Sequence, residues 1–127
     1  MTRKPVLRGE VWWADLPAPR GSEAGYPRPV LVVQRDRINE SAADTVLVTP
    51  FTTNLRRKEL PGNVHVGTRG TGLPQPSVAV GIHTFAIPRE DLSRRLGRVS
   101  ADTQSKVDAA LGYVLGLQQS PEVSHGS

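Results

Sequence analysis

The stretch at residues 21–33 constrains the fold more than any other part of the chain. Its first half contains two glycines and is expected to be a loop, and residues 30–33 are an uninterrupted apolar run. Arg28 and Pro29 stand between these halves. A residue before proline is pushed towards extended backbone, and proline suits a strand start because it has no N–H to donate. The pattern predicts a strand at residues 28–34, buried on both faces, with Arg28 at its entrance.

A loop beside a rigid strand is a common position for a functional side chain, so Arg28 is a candidate. The simpler alternative is that Arg28 only begins the strand and points into water. This segment alone favours the simpler alternative. The rest of the chain shifts the interpretation towards a functional Arg28.

Short β-forming runs recur along the chain, separated by glycine and proline. The other predicted strands are residues 10–16, 45–53, 63–67, 77–82 and 95–99. Single helical turns are expected within residues 35–43 and 88–92.

A longer helix is predicted after Ser100, which is a good N-cap. Apolar residues repeat behind it at helical spacing, namely Val107, Ala110, Leu111, Val114 and Leu115. We expect this stripe to lie on the sheet. The sequence therefore predicts a mainly β fold with a C-terminal helix, arranged as a small, strongly curved barrel or sandwich.

The length of 127 residues fits one domain with one modest core. No internal repeat or linker divides the chain. We expect residues 1–7 to be a flexible lead, residues 8–117 to form the domain, and the polar residues 118–127 to be a disordered tail.

Composition limits the classes of function. Cysteine is absent, which excludes disulfides, cysteine–zinc sites and thiol catalysis. The sequence has no phosphate-loop motif, and no apolar run is long enough to span a bilayer, so a cytoplasmic protein without membrane contact is predicted. There are 16 Lys and Arg residues against 12 Asp and Glu, a net charge of +4. This balance permits an anionic partner such as nucleic acid but does not establish one.

The three histidines, His65, His83 and His125, are far apart in the sequence. No acidic cluster has the spacing of a metal pair, so neither a metal nor another cofactor is expected. His125 lies in the tail and is expected to be inert. His65 alternates outward on its strand and is interpreted as a surface residue, whereas His83, at a strand end beside a loop, stays a candidate.

Other candidates are polar residues of the loops. They are Arg20, Glu23, Arg28, Thr52, Thr53, Arg56 and Arg57. Arginine matches phosphate through a planar fork of donors. The cluster Arg56, Arg57 and Lys58 alone favours a bland alternative, a solvated basic loop. Trp12 and Trp13 alternate across a strand, so one is expected in the core and the other is a candidate for stacking on a base.

Several motifs, taken in order, resemble one known family. They are Arg8-Gly9-Glu10-Val11-Trp12, Gly21-Ser22-Glu23, Arg28-Pro29-Val30-Leu31-Val32-Val33, Val46-Leu47-Val48-Thr49-Pro50-Phe51-Thr52-Thr53, Leu96-Gly97-Arg98-Val99-Ser100, Val107-Asp108-Ala109-Ala110-Leu111 and Leu115-Gly116-Leu117. Each motif is weak alone, but the ordered set across residues 8–117 is similar to the MazF/PemK family of toxin endoribonucleases.

The resemblance implies an SH3-like barrel, a homodimer, and metal-independent cleavage of single-stranded RNA. By position, the family's catalytic arginine and threonine fall on Arg28 and Thr52, and its loop acid falls on Glu23. The expected substrate contacts are Glu23, Thr53, Arg56, Arg57 and His83. The resemblance also implies a cognate antitoxin whose acidic C-terminal segment covers the active groove.

One segment departs from the family pattern. Many members have a Gln-Ile-Arg-Thr-like run after the fifth strand, where this chain has His83-Thr84-Phe85-Ala86. Phe85 therefore stands where arginine is usual. Because that wall is expected to meet the RNA, the departure bears on substrate preference and leaves Arg28 and Thr52 in place.

Two other functions stay open on the sequence. One is a non-catalytic module that binds an oligonucleotide or peptide on a small barrel, in which Arg28 would only hold phosphate. The other is a toxin on a related barrel that acts on a topoisomerase.

Overall fold

A computed structural model describes residues 4–16 and 26–117 of the chain. The strands in these residues are β1 (Glu10–Ala14), β2 (Arg28–Val32), β3 (Thr45–Thr52), β4 (Asn63–Val66), β5 (Ser77–Val80), β6 (Phe85–Pro88) and β7 (Leu92–Arg98). The helices are α1 (Asp36–Asn39) and α2 (Ala101–Val114), and short 3₁₀ helices span Leu55–Glu59, Gly81–His83 and Arg89–Asp91. The prediction of a mainly β fold with a C-terminal helix is confirmed.

All strand pairs of the sheet are antiparallel. The strand order is β4-β5-β3-β2-β1-β7, and β6 is an additional partner of β3. The long strand β3 pairs with β6 through residues 45–48 and with β5 through Phe51 and Thr52. β3 therefore belongs to both parts of the curved sheet, and its C-terminal end lies between β2 and β5.

The expected barrel is not closed by a strand ladder in the described residues, because β4 and β7 end the path of paired strands. A turn at residues 68–72 packs on β7 instead, and Arg98 N donates to the Gly70 carbonyl at 2.8 Å. A Cβ on Gly97 would lie 2.4 Å from the Gly70 oxygen, so this approach requires glycine. The turn occupies the place where a further ladder would close the sheet.

Two apolar clusters form the core, one on each face of β2. Val30 and Val32 belong to the first core cluster, and Leu31 and Val33 to the second. The unbroken apolar run at residues 30–33 thus predicted burial on both faces, and this is confirmed. Burial of a side chain such as Leu31, which is fully inaccessible to solvent, contributes about 1.5–3 kcal/mol.

The N-terminal lead packs on the sheet where the structure describes it. Val6 is buried in the first core cluster, and Lys4 Nζ lies 5.8 Å from the centroid of the Trp12 ring. Residues 4–7 are therefore held by the fold, and the predicted tail at residues 118–127 lies outside the described residues.

Helix α2 begins as predicted, because the Ser100 Oγ accepts a hydrogen bond from Thr103 N at 3.1 Å. Val107 and Ala110 are buried, but the prediction was wrong for Val114 and Leu115, which are 38% and 70% exposed. The helix ends at Val114, and its last turn passes the end of the second core cluster.

The region after β5 also differs from the prediction. The strand stops at Val80, the chain continues as the 3₁₀ helix Gly81–His83, and Ile82 is 70% exposed. A Cβ on Gly81 would lie 2.2 Å from the Gly62 carbonyl oxygen, so the close approach there requires glycine. β6 was not predicted, whereas the helical turn at residues 88–92 is confirmed by the 3₁₀ helix Arg89–Asp91. In the part of the chain described, no helix is long and apolar enough to cross a membrane.

Candidate active site

Arg28 and Thr52 lie at the ends of two neighbouring strands. Arg28 is the first residue of β2, and Thr52 is the last residue of β3. Val30 is opposite Pro50 in the antiparallel pairing of these strands. The pairing of β2 with β3 ends there, and extending the same register by two residues would put Arg28 and Thr52 on the same face at neighbouring strand ends.

The guanidinium of Arg28 has a donor that the described protein does not use. The side chain is half-buried, and its Nε is buried without a hydrogen-bond partner among the residues described. Leaving a buried donor unpaired costs about 1–3 kcal/mol. A guanidinium pairs with phosphate through charge-assisted hydrogen bonds, so Arg28 is a candidate phosphate contact.

The Thr52 hydroxyl is oriented by the chain that follows it. Its Oγ1 accepts a hydrogen bond from Asn54 N at 3.2 Å. Because the oxygen acts as acceptor there, its own proton is free to donate to a ligand. Thr52 is half-buried and the next residue, Thr53, is exposed, so both are accessible at the strand end.

The basic cluster forms the 3₁₀ helix Leu55–Glu59, called the basic 3₁₀ helix below. Asn54 caps its start, since Asn54 Oδ1 accepts from Arg56 N at 3.2 Å. Arg56, Arg57 and Lys58 are exposed, and none of them forms an ion pair with an acidic side chain of the described residues. The cluster was expected in an irregular loop; it is ordered, and its charges are available to an anion.

Asn63 links the basic 3₁₀ helix to the sheet. Its Nδ2 donates to the Arg57 carbonyl at 2.9 Å. Neither asparagine that holds this helix, Asn54 or Asn63, was among the residues predicted from the sequence. Only Asn54 carried a local signal, as a preferred capping residue before a helical turn.

The position of His83 is set by a short 3₁₀ helix and not by the end of a strand. It ends the 3₁₀ helix Gly81–His83, which packs against β3, and its side chain is half-buried without a hydrogen bond to any described residue. The neighbouring Thr84 Oγ1 lies 2.6 Å from the Thr49 Oγ1, which fixes the chain there. Phe85, where the family pattern usually has arginine, is partly buried and packs against the first core cluster.

The two tryptophans differ in burial, as expected. Trp12 is in the core with 6% exposure, and its Nε1 donates to Glu10 Oε1 at 3.1 Å. Trp13 is half-buried, opposite Pro29 on one side and Arg94 on the other. Glu23 and Arg20, the other loop candidates, lie outside the described residues.

The donor groups suit anions better than cations. Within residues 4–16 and 26–117, no group of three or more histidine, aspartate or glutamate side chains is placed to hold a metal ion. The fold and site together define a small antiparallel β protein with a candidate arginine-centred site at a strand end, followed in the chain by an exposed basic 3₁₀ helix.

Comparison with known proteins names the family. The model for PemK-like, MazF-like toxins of type II toxin–antitoxin systems matches residues 7–115. Endoribonuclease MazF6 of Mycobacterium tuberculosis is 38% identical over 112 residues, covering 88% of this chain and 98% of that protein. Endoribonuclease MazF9 of the same organism is 39% identical over 116 residues, with 88% and 98% covered.

A solved structure shares the fold. It is an endoribonuclease in complex with its cognate antitoxin from a mycobacterial species, with a TM-score of 0.71 and 26% identity. The match covers 89% of this chain and 97% of that one. The chain therefore belongs to the family of PemK-like, MazF-like toxins of type II toxin–antitoxin systems, and the resemblance inferred from its sequence is confirmed.

Proposed function

We propose that this protein is the toxin of a toxin–antitoxin pair and a sequence-selective endoribonuclease that cuts single-stranded RNA without a metal ion. The observation that carries the proposal is the half-buried Arg28 side chain at the start of β2, whose Nε bonds no described residue, beside the strand β3 that ends at Thr52, in a chain of this family.

RNA supplies its own nucleophile, the 2′-OH next to each phosphate. Its attack on the adjacent phosphorus forms a P–O bond and breaks the bond to the 5′ oxygen. The products are a 2′,3′-cyclic phosphate and a 5′-OH end. The protein has to hold the nucleotide in line and stabilise the charge that develops on the non-bridging oxygens.

Arg28 is proposed to stabilise that charge. A guanidinium carries N–H donors and no acceptor, so Arg28 is proposed to act as an electrostatic donor and not as a base. Its half-buried position strengthens the interaction relative to bulk water. The Thr52 hydroxyl, with its proton free, would donate a further hydrogen bond to the same phosphate.

The surrounding residues are proposed to bind the rest of the RNA. Arg56 and Arg57 would hold neighbouring phosphates from the basic 3₁₀ helix, with Thr53 beside them. His83 would contact substrate and tune sequence preference. Glu23, by the family pattern, would act from the loop before β2. Trp13, the stacking candidate, is next to Ala14, the partner of Arg28, and so lies on the other face of the sheet from Arg28.

The proposed partners follow from the same surface. By the family resemblance, an antitoxin with an acidic C-terminal segment would bind the basic 3₁₀ helix and exclude RNA. The related mycobacterial endoribonuclease forms a complex with its cognate antitoxin, which supports an antitoxin as partner. We also propose a homodimer and a cytoplasmic location, where RNA is available. Fully active protein that light scattering shows to be monomeric at micromolar concentration would refute the dimer.

The architecture is proposed to be the SH3-like barrel of the family, with residues 8–117 as the toxin domain. In this interpretation, the turn at residues 68–72 replaces the closing strand ladder beside β7.

One experiment separates the proposed function from its alternatives. Pure protein is incubated with a mixed-sequence RNA in EDTA, and the ends of any fragments are mapped. Fragments with cyclic phosphate and 5′-OH ends at selected sites support the proposal. RNA that is bound but intact indicates a binding module, and inhibition of a topoisomerase with intact RNA indicates the related toxin.

A further inference from the structure

A row of opposed residues connects Thr52 to His65, two strands away. Thr52 of β3 is opposite Val78 of β5, and Val78 is opposite His65 of β4. Neither pairing contains a register shift. Directly opposed residues in antiparallel strands point to the same face, so His65 shares the face of Thr52 and, through the β2–β3 register, of Arg28.

The core confirms this assignment of faces. The neighbours of His65 in β4, Val64 and Val66, pack on the second core cluster, on the opposite face. Strands lie about 4.8 Å apart, so His65 is about 10 Å from Thr52 across the sheet. That separation is too long for direct contact between the side chains of His65 and Thr52.

Val78 lies between these two residues in the row. It is fully buried, so other groups of the protein cover it, although it belongs to neither core cluster. The basic 3₁₀ helix packs against β4 and β5, and its Arg57 carbonyl is bonded by Asn63, which points to the same face as His65. Exposed His65 therefore lies in the row from Thr52, on a strand against which the basic 3₁₀ helix packs.

We propose that His65 is a substrate-binding residue that holds the base of a nucleotide next to the scissile one. Imidazole can stack on a base and also hydrogen-bond its edge, and single-stranded RNA exposes both. A surface residue without function would give the same outward alternation in the sequence. The row of opposed residues from Thr52 to His65, which could not be deduced from the sequence, is the observation that assigns the substrate-binding role to His65. This inference rests on the proposed function.

Its test compares variants of the full-length protein on a short single-stranded RNA that the parent cuts. His65→Ala is expected to raise the KM about 5- to 30-fold, with kcat within about twofold of the parent, and to change the preferred base beside the cut. His65→Phe preserves stacking and His65→Gln preserves hydrogen bonding, so at least one should recover much of the KM. Lys106→Ala, an exposed cation of α2, is the matched control and should leave KM and cut sites unchanged.

The outcomes separate this inference from the function on which it depends. If His65→Ala has the KM, kcat and cut sites of the parent, the role of His65 is refuted while the endoribonuclease stands. If the parent cuts no RNA, the proposed function fails, and fluorescence anisotropy of a labelled RNA still tests His65. Equal Kd values for parent and His65→Ala would then overturn the inference, and a selective loss of binding would support it.

Discussion

Asn63 fastens the basic 3₁₀ helix to the sheet, because its Nδ2 donates to the Arg57 carbonyl at 2.9 Å. Together with the Asn54 cap and the packing of the helix on β4 and β5, this bond holds two exposed arginines near the strand end that carries Thr52. The positions of the positive charges thus depend in part on a neutral residue.

Asn63→Ala is expected to weaken RNA binding several-fold by releasing the basic 3₁₀ helix, since one such hydrogen bond contributes about 0.5–1.5 kcal/mol. Asn63→Asp should weaken it more, because a carboxylate cannot donate to the Arg57 carbonyl. Anisotropy with a labelled RNA measures both, and thermal unfolding controls for stability. Unchanged affinity in both variants would show that this bond does not position the arginines.

The arginines themselves are tested by salt dependence. The double variant Arg56→Ala/Arg57→Ala should weaken RNA binding and reduce the slope of log K against log salt by about 0.7 for each phosphate that is no longer neutralised. The control Arg37→Ala/Lys106→Ala removes two exposed charges on the helices α1 and α2. Equal slopes in the two double variants would mean that Arg56 and Arg57 act only through net charge.

The rate of cleavage is expected to depend more on the hydroxyl of Thr52 than on the shape of its side chain. Thr52→Val keeps the branched side chain without the hydroxyl and should lower kcat about 100-fold, the scale for loss of one transition-state donor. Thr52→Ser should retain most of the rate, because its Oγ can still accept from Asn54 N and donate to phosphate. Single-turnover kinetics would contradict the assignment if Thr52→Val cut as fast as Thr52→Ser.

His83 is expected to influence which sites are cut. It is half-buried in a turn against β3 and hydrogen-bonds no described residue, so His83→Gln should leave the fold intact. We expect this variant to cleave RNA with altered site preference. Complete loss of cleavage by a folded His83→Gln protein, on every RNA tried, would make His83 catalytic.

The sequence predicted those parts of the site that depend on local patterns. Pro29 and the apolar run after it located the start of β2, and with it Arg28. The run before Thr52 located the end of β3, and the adjacency of these strands followed from their order. Even the burial of β2 on both faces could be deduced, since each of residues 30–33 is apolar.

The remaining features depend on contacts between distant residues. The strand β6 is short, ends in proline and is defined by pairing with β3, so no local pattern marked it. The row from Thr52 to His65 requires two non-local registers. Val114 and Leu115 have helical periodicity, but their exposure is decided by where the core ends beneath α2. Whether a strand ladder closes the sheet also depends on a distant contact, the packing of the turn at residues 68–72 against Gly97.

The central claim is that Arg28 stabilises the charge of the transition state in an attack by the RNA 2′-OH. The most direct measurement compares parent, Arg28→Ala and Arg28→Lys protein on one RNA in EDTA, and on the same RNA with a 2′-deoxyribose at the cut site. Because Arg28 Nε has no partner among the described residues, Arg28→Ala should remain folded, as judged by its circular dichroism and melting temperature. We predict no detectable cleavage by Arg28→Ala, weak cleavage by Arg28→Lys, which keeps the charge but not the planar fork, and no cleavage of the deoxy substrate by any of the three. Cleavage by folded Arg28→Ala at the parent's rate, or equal cleavage of the deoxy substrate by the parent, would contradict the account.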